Sequence, residues 1–304
     1  MRGEPRAAGT ADENDGELRL TVTNTYHRNE RAANLPARLS RSWLLTSASN
    51  EESFEPNYES EADSIILDME DAVPADRKEE ARERVIQALN QGMRAWVRIN
   101  DITTEFWEGD LAALSKAEGL RGIVLAKTEH PHDVTRTAMM SRAGTPIIAL
   151  IESAVGIVNA VDIARAPGTF RLAFGMGDYR KDTGISDDPM ALAYARSALV
   201  VASRVGELPG PIDGPANGVD DKGLMDACRV TASMGMTGKL TLNPAQTDTI
   251  NRGLAPSEEE ISWAREMLER EEGGAVPKDG SYLPRLARAR KVSELAQTYG
   301  MWGR

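Results

Sequence analysis

The sequence predicts an α/β fold, a (β/α)8 TIM barrel with a C-terminal helical extension. Three observations carry the prediction. Eight short apolar runs recur along the 304 residues, several of them end in a charged residue, and amphipathic helical patterns lie between them. Short runs that are apolar throughout read as strands buried on both faces, and helices between them make the sheet parallel. Eight such units favour a closed barrel over an open doubly wound sheet. Gly175-Met176-Gly177 is too short for the Gly-x-Gly-x-x-Gly of a dinucleotide-binding open sheet.

Residues 1–36 are polar with few large apolar groups and are expected to form a flexible N-terminal arm. The barrel is expected over residues 37–253. Its first strand begins near Arg38 and runs through Leu45. The second, residues 64–68, leads into Met69-Glu70-Asp71. Asp76 is placed to cap the next helix, with Glu79 and Glu80 in its first turn, an apolar face of Ala81, Val85, Ile86 and Leu89, and Gly92 as its stop. The third strand, residues 95–100, contains Arg98. The fourth, 123–126, ends on Lys127, the fifth, 147–151, on Glu152, and the sixth, 171–175, leads to Asp178. Asp188-Pro189 opens a long helix through Tyr194, Leu199 and Val205 to Gly206. Residues 211–213 and 238–242 supply the last two strands.

After Gly253 the pattern changes. Residues 254–304 read as one helix from Pro256-Ser257 through Trp263 and Met267, a Gly/Pro/Lys-rich loop from Gly273 to Gly280, and a basic helix through Leu286, Val292, Leu295 and Ala296. This segment is expected to serve as a lid or as an oligomerisation element.

A net charge of −11 argues against nucleic acid and anionic membranes as partners. No apolar run approaches the ~20 residues of a membrane-spanning helix. Cys228 is the one cysteine, so no internal disulfide forms, and its helical surroundings suit packing. With no signal-peptide pattern at the N-terminus, the cytoplasm is the expected compartment.

In barrels of this kind the carboxyl ends of the strands carry the chemistry. Glu152 and Asp178 follow the fifth and sixth strands, and neighbouring strands lie about 4.8 Å apart, so the two carboxylates can share a cation. Oxygen ligands alone suit Mg²⁺, which keeps several waters and can polarise a carbonyl and stabilise an enolate. The structural alternatives are a helix cap for Glu152 and a turn for Asp178. Arg98 interrupts an apolar strand and suits a substrate carboxylate through its two-pronged geometry. It can equally pair with Asp68, Glu70 or Asp71, and both can hold at once. Glu70 is placed to act through a water on the metal. Lys127 and Lys239 are candidates for an anion. His130 and His132 flank Pro131 and read as a solvated turn rather than a metal pair. No Ser-His-Asp or Cys-His arrangement is evident.

The motifs converge in order and spacing. They are Arg41-Ser42-Trp43-Leu44, Leu67-Asp68-Met69-Glu70-Asp71-Ala72-Val73, Val97-Arg98-Ile99-Asn100, Leu150-Ile151-Glu152-Ser153-Ala154-Val155-Gly156 and Ala173-Phe174-Gly175-Met176-Gly177-Asp178. Tyr194-Ala195-Arg196-Ser197, Pro211-Ile212-Asp213-Gly214 and the stretch from Gly238 to Gln246 continue the series. Over residues 38–253 the chain resembles the citrate lyase beta subunit and malyl-CoA lyase group of the HpcH/HpaI aldolase superfamily. The resemblance implies a barrel that assembles as a trimer or hexamer. It implies Mg²⁺ on Glu152 and Asp178, and a catalytic set of Arg98, Glu70 and Asp68. It implies substrate contacts from Arg98, Arg41, Lys127 and Gly177. The implied reaction is reversible carbon–carbon cleavage of a 3-hydroxy acid or its CoA thioester, with a small 2-oxo or hydroxy acid as partner. Three stretches depart from the family pattern. Thr46-Ser47-Ala48-Ser49-Asn50 stands in place of Val-Pro-Gly-Asn, and Leu242-Asn243-Pro244 in place of Ile-His-Pro. Asp279-Gly280-Ser281-Tyr282 lacks the lid acid after its glycine. The alternative functions are thioester hydrolysis or a malate-synthase-like condensation on the same site, or a catalytically silent structural partner.

Overall fold

The computed structural model describes residues 26–273 and 280–303. Eight parallel strands close into a barrel in sequence order: β1 (Ser42–Ser47), β2 (Ser64–Asp68), β3 (Ala95–Ile99), β4 (Leu120–Leu125), β5 (Ile147–Ile151), β6 (Thr169–Phe174), β7 (Ile212–Asp213) and β8 (Gly238–Thr241). The continuous apolar runs form strands because both faces are covered. Along β2, Ile66 packs inside the barrel with Trp43, Trp96, Val124 and Ile148, whereas Ile65 and Leu67 belong to the layer under the helices. Gly122 makes room for the indole of Trp96, since a Cβ there would lie 2.3 Å from it.

Helices wrap the outside. Before β2 come α1 (Glu30–Asn34) and α2 (Phe54–Glu59). Next are α3 (Lys78–Asn90), α4 (Trp107–Leu114) and α5 (Pro131–Met140), which follow β2, β3 and β4. Then α6 (Ala154–Val158) and α7 (Ala160–Arg165) follow β5, and α8 (Met176–Thr183) and α9 (Ala193–Val205) follow β6. The remaining helices are α10 (Asp221–Ser233), α11 (Thr247–Gly253), α12 (Glu258–Glu272) and α13 (Tyr282–Thr298). Among the described residues no helix is long and apolar enough to cross a membrane.

Several boundaries differ from the sequence reading. The first strand starts at Ser42, not Arg38, because residues 37–39 form a 3-10 turn and the Ser40 carbonyl accepts from the Trp43 indole and from Arg171. Asp76 lies in the 3-10 turn Ala75–Arg77 and does not cap α3. Asp188 accepts from the Met190 and Ala191 N–H groups in a turn, so the long helix starts only at Ala193. His130 is the N-cap residue of α5, and its ring stacks on that of His132. Cys228 is fully buried, as packing requires.

Of the expected arm, residues 1–25 lie outside the described residues. Residues 26–36 are packed on the barrel: Tyr26, Ala32 and Leu35 are buried, Asn29 caps α1, and Arg28 donates to the Tyr58 and Ala62 carbonyls. At the other terminus α12 and α13 pack face to face. The Tyr299 hydroxyl after α13 donates to the Leu39 carbonyl at 2.8 Å, and the Arg41 guanidinium stacks over its ring at 3.8 Å. The described tail therefore docks where β1 begins. Asp279 lies outside the described residues, and Tyr282 is buried in the contact between α12 and α13.

Candidate active site

Strand register creates the site. Asp68 at the end of β2 sits level with Arg98 on β3, and Ile151 level with Phe174. The loops after β2, β3, β4, β5 and β6 thus meet at the carboxyl rim of the barrel.

Arg98 is the buried centre of one half. Its Nε and Nη2 donate to the two Asp68 oxygens, each at 2.7 Å, and its Nη1 lies 3.1 Å from Glu70 Oε2 and 3.4 Å from Asp71 Oδ2. Burial works against the guanidinium charge, but Asp68, then Glu70 and Asp71, outweigh it and hold its pKa above the ordinary arginine value. The loop carrying these acids folds on itself. The Glu70 N–H donates to Asp68, the Asp71 N–H donates to Glu70, and the buried Lys78 ammonium donates to the Met69 and Glu70 carbonyls at 2.8 and 2.7 Å. Burial raises the Glu70 pKa against the pull of Arg98 and Lys127. Arg98 is therefore paired internally, at the carboxyl end of β3.

The other half is Glu152 and Asp178. Ser153, not Glu152, caps α6, accepting from the Gly156 N–H, so the Glu152 carboxyl is left for the rim. It accepts from the Lys127 N–H at 2.6 Å and is buried. Burial pushes its pKa up to about 8; the Lys127 N–H and Arg98 oppose this, while the charges of Glu70 and Asp178 add to it. Gly175 makes this placement possible, because a Cβ there would lie 2.4 Å from Glu152 Cβ and Oε2. Asp178 lies in the first turn of α8, half-buried, and pairs with Lys181 at 2.6 Å. The Asp182 carboxylate on the same helix accepts from the Ala154 N–H at 2.7 Å, tying α8 to the start of α6. Gly177 beside Asp178 is exposed, with nothing within 4 Å of where a Cβ would stand.

Glu152 and Asp178 are the two carboxylates that could hold a divalent cation. Among the described residues no group of three or more His, Cys, Asp or Glu side chains has that capacity. Two carboxylates leave the remaining positions to water and substrate oxygens, as Mg²⁺ accepts. The donor chemistry fits: Glu152 is a buried carboxylate beside two other acids, and such a group takes up either a proton or a cation.

Lys127 bridges the halves. Its ammonium sits 2.8 Å from Glu70 Oε1 and about 4 Å from Asp71 and Asp101. Asp101 had no signal in the sequence beyond following the third strand. Two expected or candidate residues are corrected. Arg41 is not at the rim. It precedes β1, pairs with Asp63 at 2.8 Å, donates to the Asn251 carbonyl and stacks on Tyr299, all at the amino ends of the strands. Lys239 is buried against Asp213 at 3.1 Å and meets no ligand surface.

With this geometry in place, the comparisons with known proteins are specific. The HpcH/HpaI aldolase/citrate lyase profile matches residues 41–244, and the HpcH/HpaI aldolase C-terminal domain profile matches residues 259–300. The chain belongs to the HpcH/HpaI aldolase/citrate lyase family. It is 32% identical over 260 residues to the citrate lyase subunit beta of Leuconostoc mesenteroides subsp. cremoris, covering 77% of this chain and 86% of the relative. It is 31% identical over 280 residues to the (3S)-malyl-CoA thioesterase of Cereibacter sphaeroides, covering 86% and 96%. The crystal structure of CitE from Mycobacterium tuberculosis in complex with magnesium, acetoacetate and coenzyme A superposes with a TM-score of 0.72 at 27% identity, covering 86% of this chain and 99% of that one. Membership places this HpcH/HpaI protein among carbon–carbon lyases.

Proposed function

We propose that this family member is a Mg²⁺-dependent lyase that cleaves or forms a carbon–carbon bond in a 3-hydroxy acid or its CoA thioester, releasing or taking up a small 2-oxo acid. The observation that carries the reading is the pairing of Asp68 with one edge of Arg98. It turns Nη1 toward the rim, where Glu70 at 3.1 Å and Asp71 at 3.4 Å are its partners. Arg98 holds the substrate carboxylate in a fixed orientation, and Asp68 prevents the guanidinium from turning. Glu152 and Asp178 hold the metal, and Glu70 orders water between the metal and Arg98. The exposed backbone at Gly177 lets the acid approach closely. When bound, Mg²⁺ supplies Lewis-acid polarisation of the 2-oxo group.

Thioester hydrolysis is the second reading, favoured by the likeness to a malyl-CoA thioesterase. One experiment separates the readings. Metal-free protein is titrated with Mg²⁺ and oxaloacetate, pyruvate or glyoxylate, and acetyl-CoA is then added with product analysis. Metal-dependent binding of one 2-oxo acid and a new carbon–carbon bond support the lyase. Free CoA with no new bond supports the hydrolase. A folded protein that binds none of these ligands refutes both.

A further inference from the structure

The residue after the last apolar position of β4's loop has an unusual backbone. Lys127 has φ +47°, a left-handed conformation that costs a side-chain-bearing residue about 1–2 kcal/mol. Strain of this kind persists only where neighbours fix it, and here they do. The ladder with β5 ends at Leu125, level with Ala149, Ala126 and Lys127 form a turn, and the Thr128 N–H then donates to the Leu150 carbonyl at 3.0 Å. The Thr128 hydroxyl, fully buried, donates to the Leu125 carbonyl at 2.9 Å and closes the kink. The Lys127 N–H is thereby turned out of the sheet and onto Glu152 Oε1 at 2.6 Å. The side chain leaves in the other direction and places its ammonium on Glu70 Oε1 at 2.8 Å. Glu70 in turn contacts Arg98.

We propose that Lys127 is a positioning residue that holds Glu152 by its kinked backbone and Glu70 by its ammonium, and that it does not bind the substrate carboxylate. This replaces the anion-binding role expected from the sequence, and it rests on the metal assignment of Glu152 proposed above. The logic is geometric. One residue spans the two halves of the site, so the spacing between the Arg98 network and the metal carboxylates is set by a single strained turn. The ammonium spends its hydrogen bond on Glu70, with Asp71 and Asp101 about 4 Å away. A partner that orients a ligating carboxylate typically contributes about 10–100-fold to metal affinity.

Three variants test this by calorimetry with Mg²⁺ alone, and with Mg²⁺ plus oxaloacetate. Lys127→Gly and Lys127→Val both delete the ammonium, but only glycine accepts the left-handed backbone without strain. The valine variant should bind Mg²⁺ about tenfold or more weakly than the glycine variant. Equal affinities overturn the backbone role. If Lys127→Val does not fold, Lys127→Ala, which also disfavours this conformation, takes its place. Lys127→Met removes only the ammonium. At saturating Mg²⁺ and in a Glu70→Gln background, where the role of Glu70 is already removed, it should change oxaloacetate affinity by less than about threefold, whereas loss of a direct charged contact costs about tenfold or more and overturns the proposal. In its crystal structure Glu70 should be displaced and Glu152 unmoved; Lys127→Arg should restore Glu70. Glu70 unmoved in Lys127→Met overturns the ammonium role. If wild-type protein binds neither Mg²⁺ nor oxaloacetate, the proposed function fails by itself. The crystal structures of the methionine and valine variants still decide the positioning role, by whether Glu70 and Glu152 move.

Discussion

The buried carboxyl of Glu152 makes the metal-free protein lose stability as pH rises, and Glu152→Gln should remove that dependence. Burial lifts this carboxyl from an ordinary 4.5 to about 8. Below about pH 4.5 the folded and unfolded chains both carry the proton. Between the two values only the folded chain carries it, so folding becomes less favourable with each step up in pH. Above about 8 the folded chain buries an unneutralised charge and the loss is complete. The gap corresponds to roughly 4–5 kcal/mol. That is a large share of a typical domain stability of about 5–15 kcal/mol. The assay is urea unfolding in chelator at several pH values spanning this window. The wild-type midpoint should fall relative to Glu152→Gln, with the difference developing between about pH 5 and pH 8.5. Taking the difference between the two proteins cancels the titrating groups that do not interact with Glu152, leaving Glu152 and its neighbours Glu70 and Asp178. Parallel pH profiles would refute the reasoning, because they would mean that Glu152 is solvated or already paired.

Gly175→Ala puts a Cβ 2.4 Å from Glu152 Cβ and Oε2, so the carboxylate must swing away. Mg²⁺ affinity should fall about 10–100-fold in calorimetry, and wild-type affinity would sink the metal assignment. Arg98→Lys replaces the two-pronged bond to Asp68 with a point charge, and oxo-acid affinity should drop by about 1.5–3 kcal/mol. An unchanged KM counts against the clamp. Arg41→Met leaves the buried Asp63 with Arg31 as its one cationic partner beside the backbone N–H of residue 41, and should cost about 3 kcal/mol of stability with Mg²⁺ and oxo-acid affinity unaltered. Weakened ligand binding in the folded variant would return Arg41 to the site.

The barrel was legible because its strands are buried on both faces, and that leaves a continuous apolar run rather than an alternation. Arg98, Glu152 and Asp178 were legible for the same reason, as charges standing inside or directly after such runs. Arg41 shows the limit. It too borders an apolar run, but pattern alone does not say which end of the strand a charge occupies. The run Arg38–Leu45 hides a 3-10 turn that shifts the strand start past Arg41. The contribution of Lys127 was half visible. Its charge could be read, whereas its N–H contact depends on a backbone dihedral that no residue type announces, lysine being an unusual occupant of left-handed space. Gly175 belongs with it: the glycine is plain in the sequence, but the need for it appears only once Glu152 is seen behind it.

Charge balance at the rim is the strongest physical argument for a cation there. The acids Asp68, Glu70, Asp71, Asp101, Glu152 and Asp178 face the cations Lys78, Arg98, Lys127 and Lys181. Arg98 serves Asp68, Glu70 and Asp71; Lys127 serves Glu70, Asp71 and Asp101; Lys181 serves Asp178. Among the described residues Glu152 has no cationic side chain within ion-pair distance, only one backbone N–H. An orphan carboxylate of this kind destabilises the fold when ionised, and a glutamine would accept the same N–H without that cost. The surplus is also not spread evenly. It falls on Glu152, whose pKa is raised by burial, with the charges of Glu70 and Asp178 adding to it. The proposed divalent cation on Glu152 and Asp178 would relieve the repulsion and the burial cost together, while Lys181, which is exposed, would release Asp178 at little expense. A proton relieves only Glu152 and leaves Asp178 as it is. The proposed Mg²⁺ would therefore take two oxygens from the protein and the rest from water and substrate.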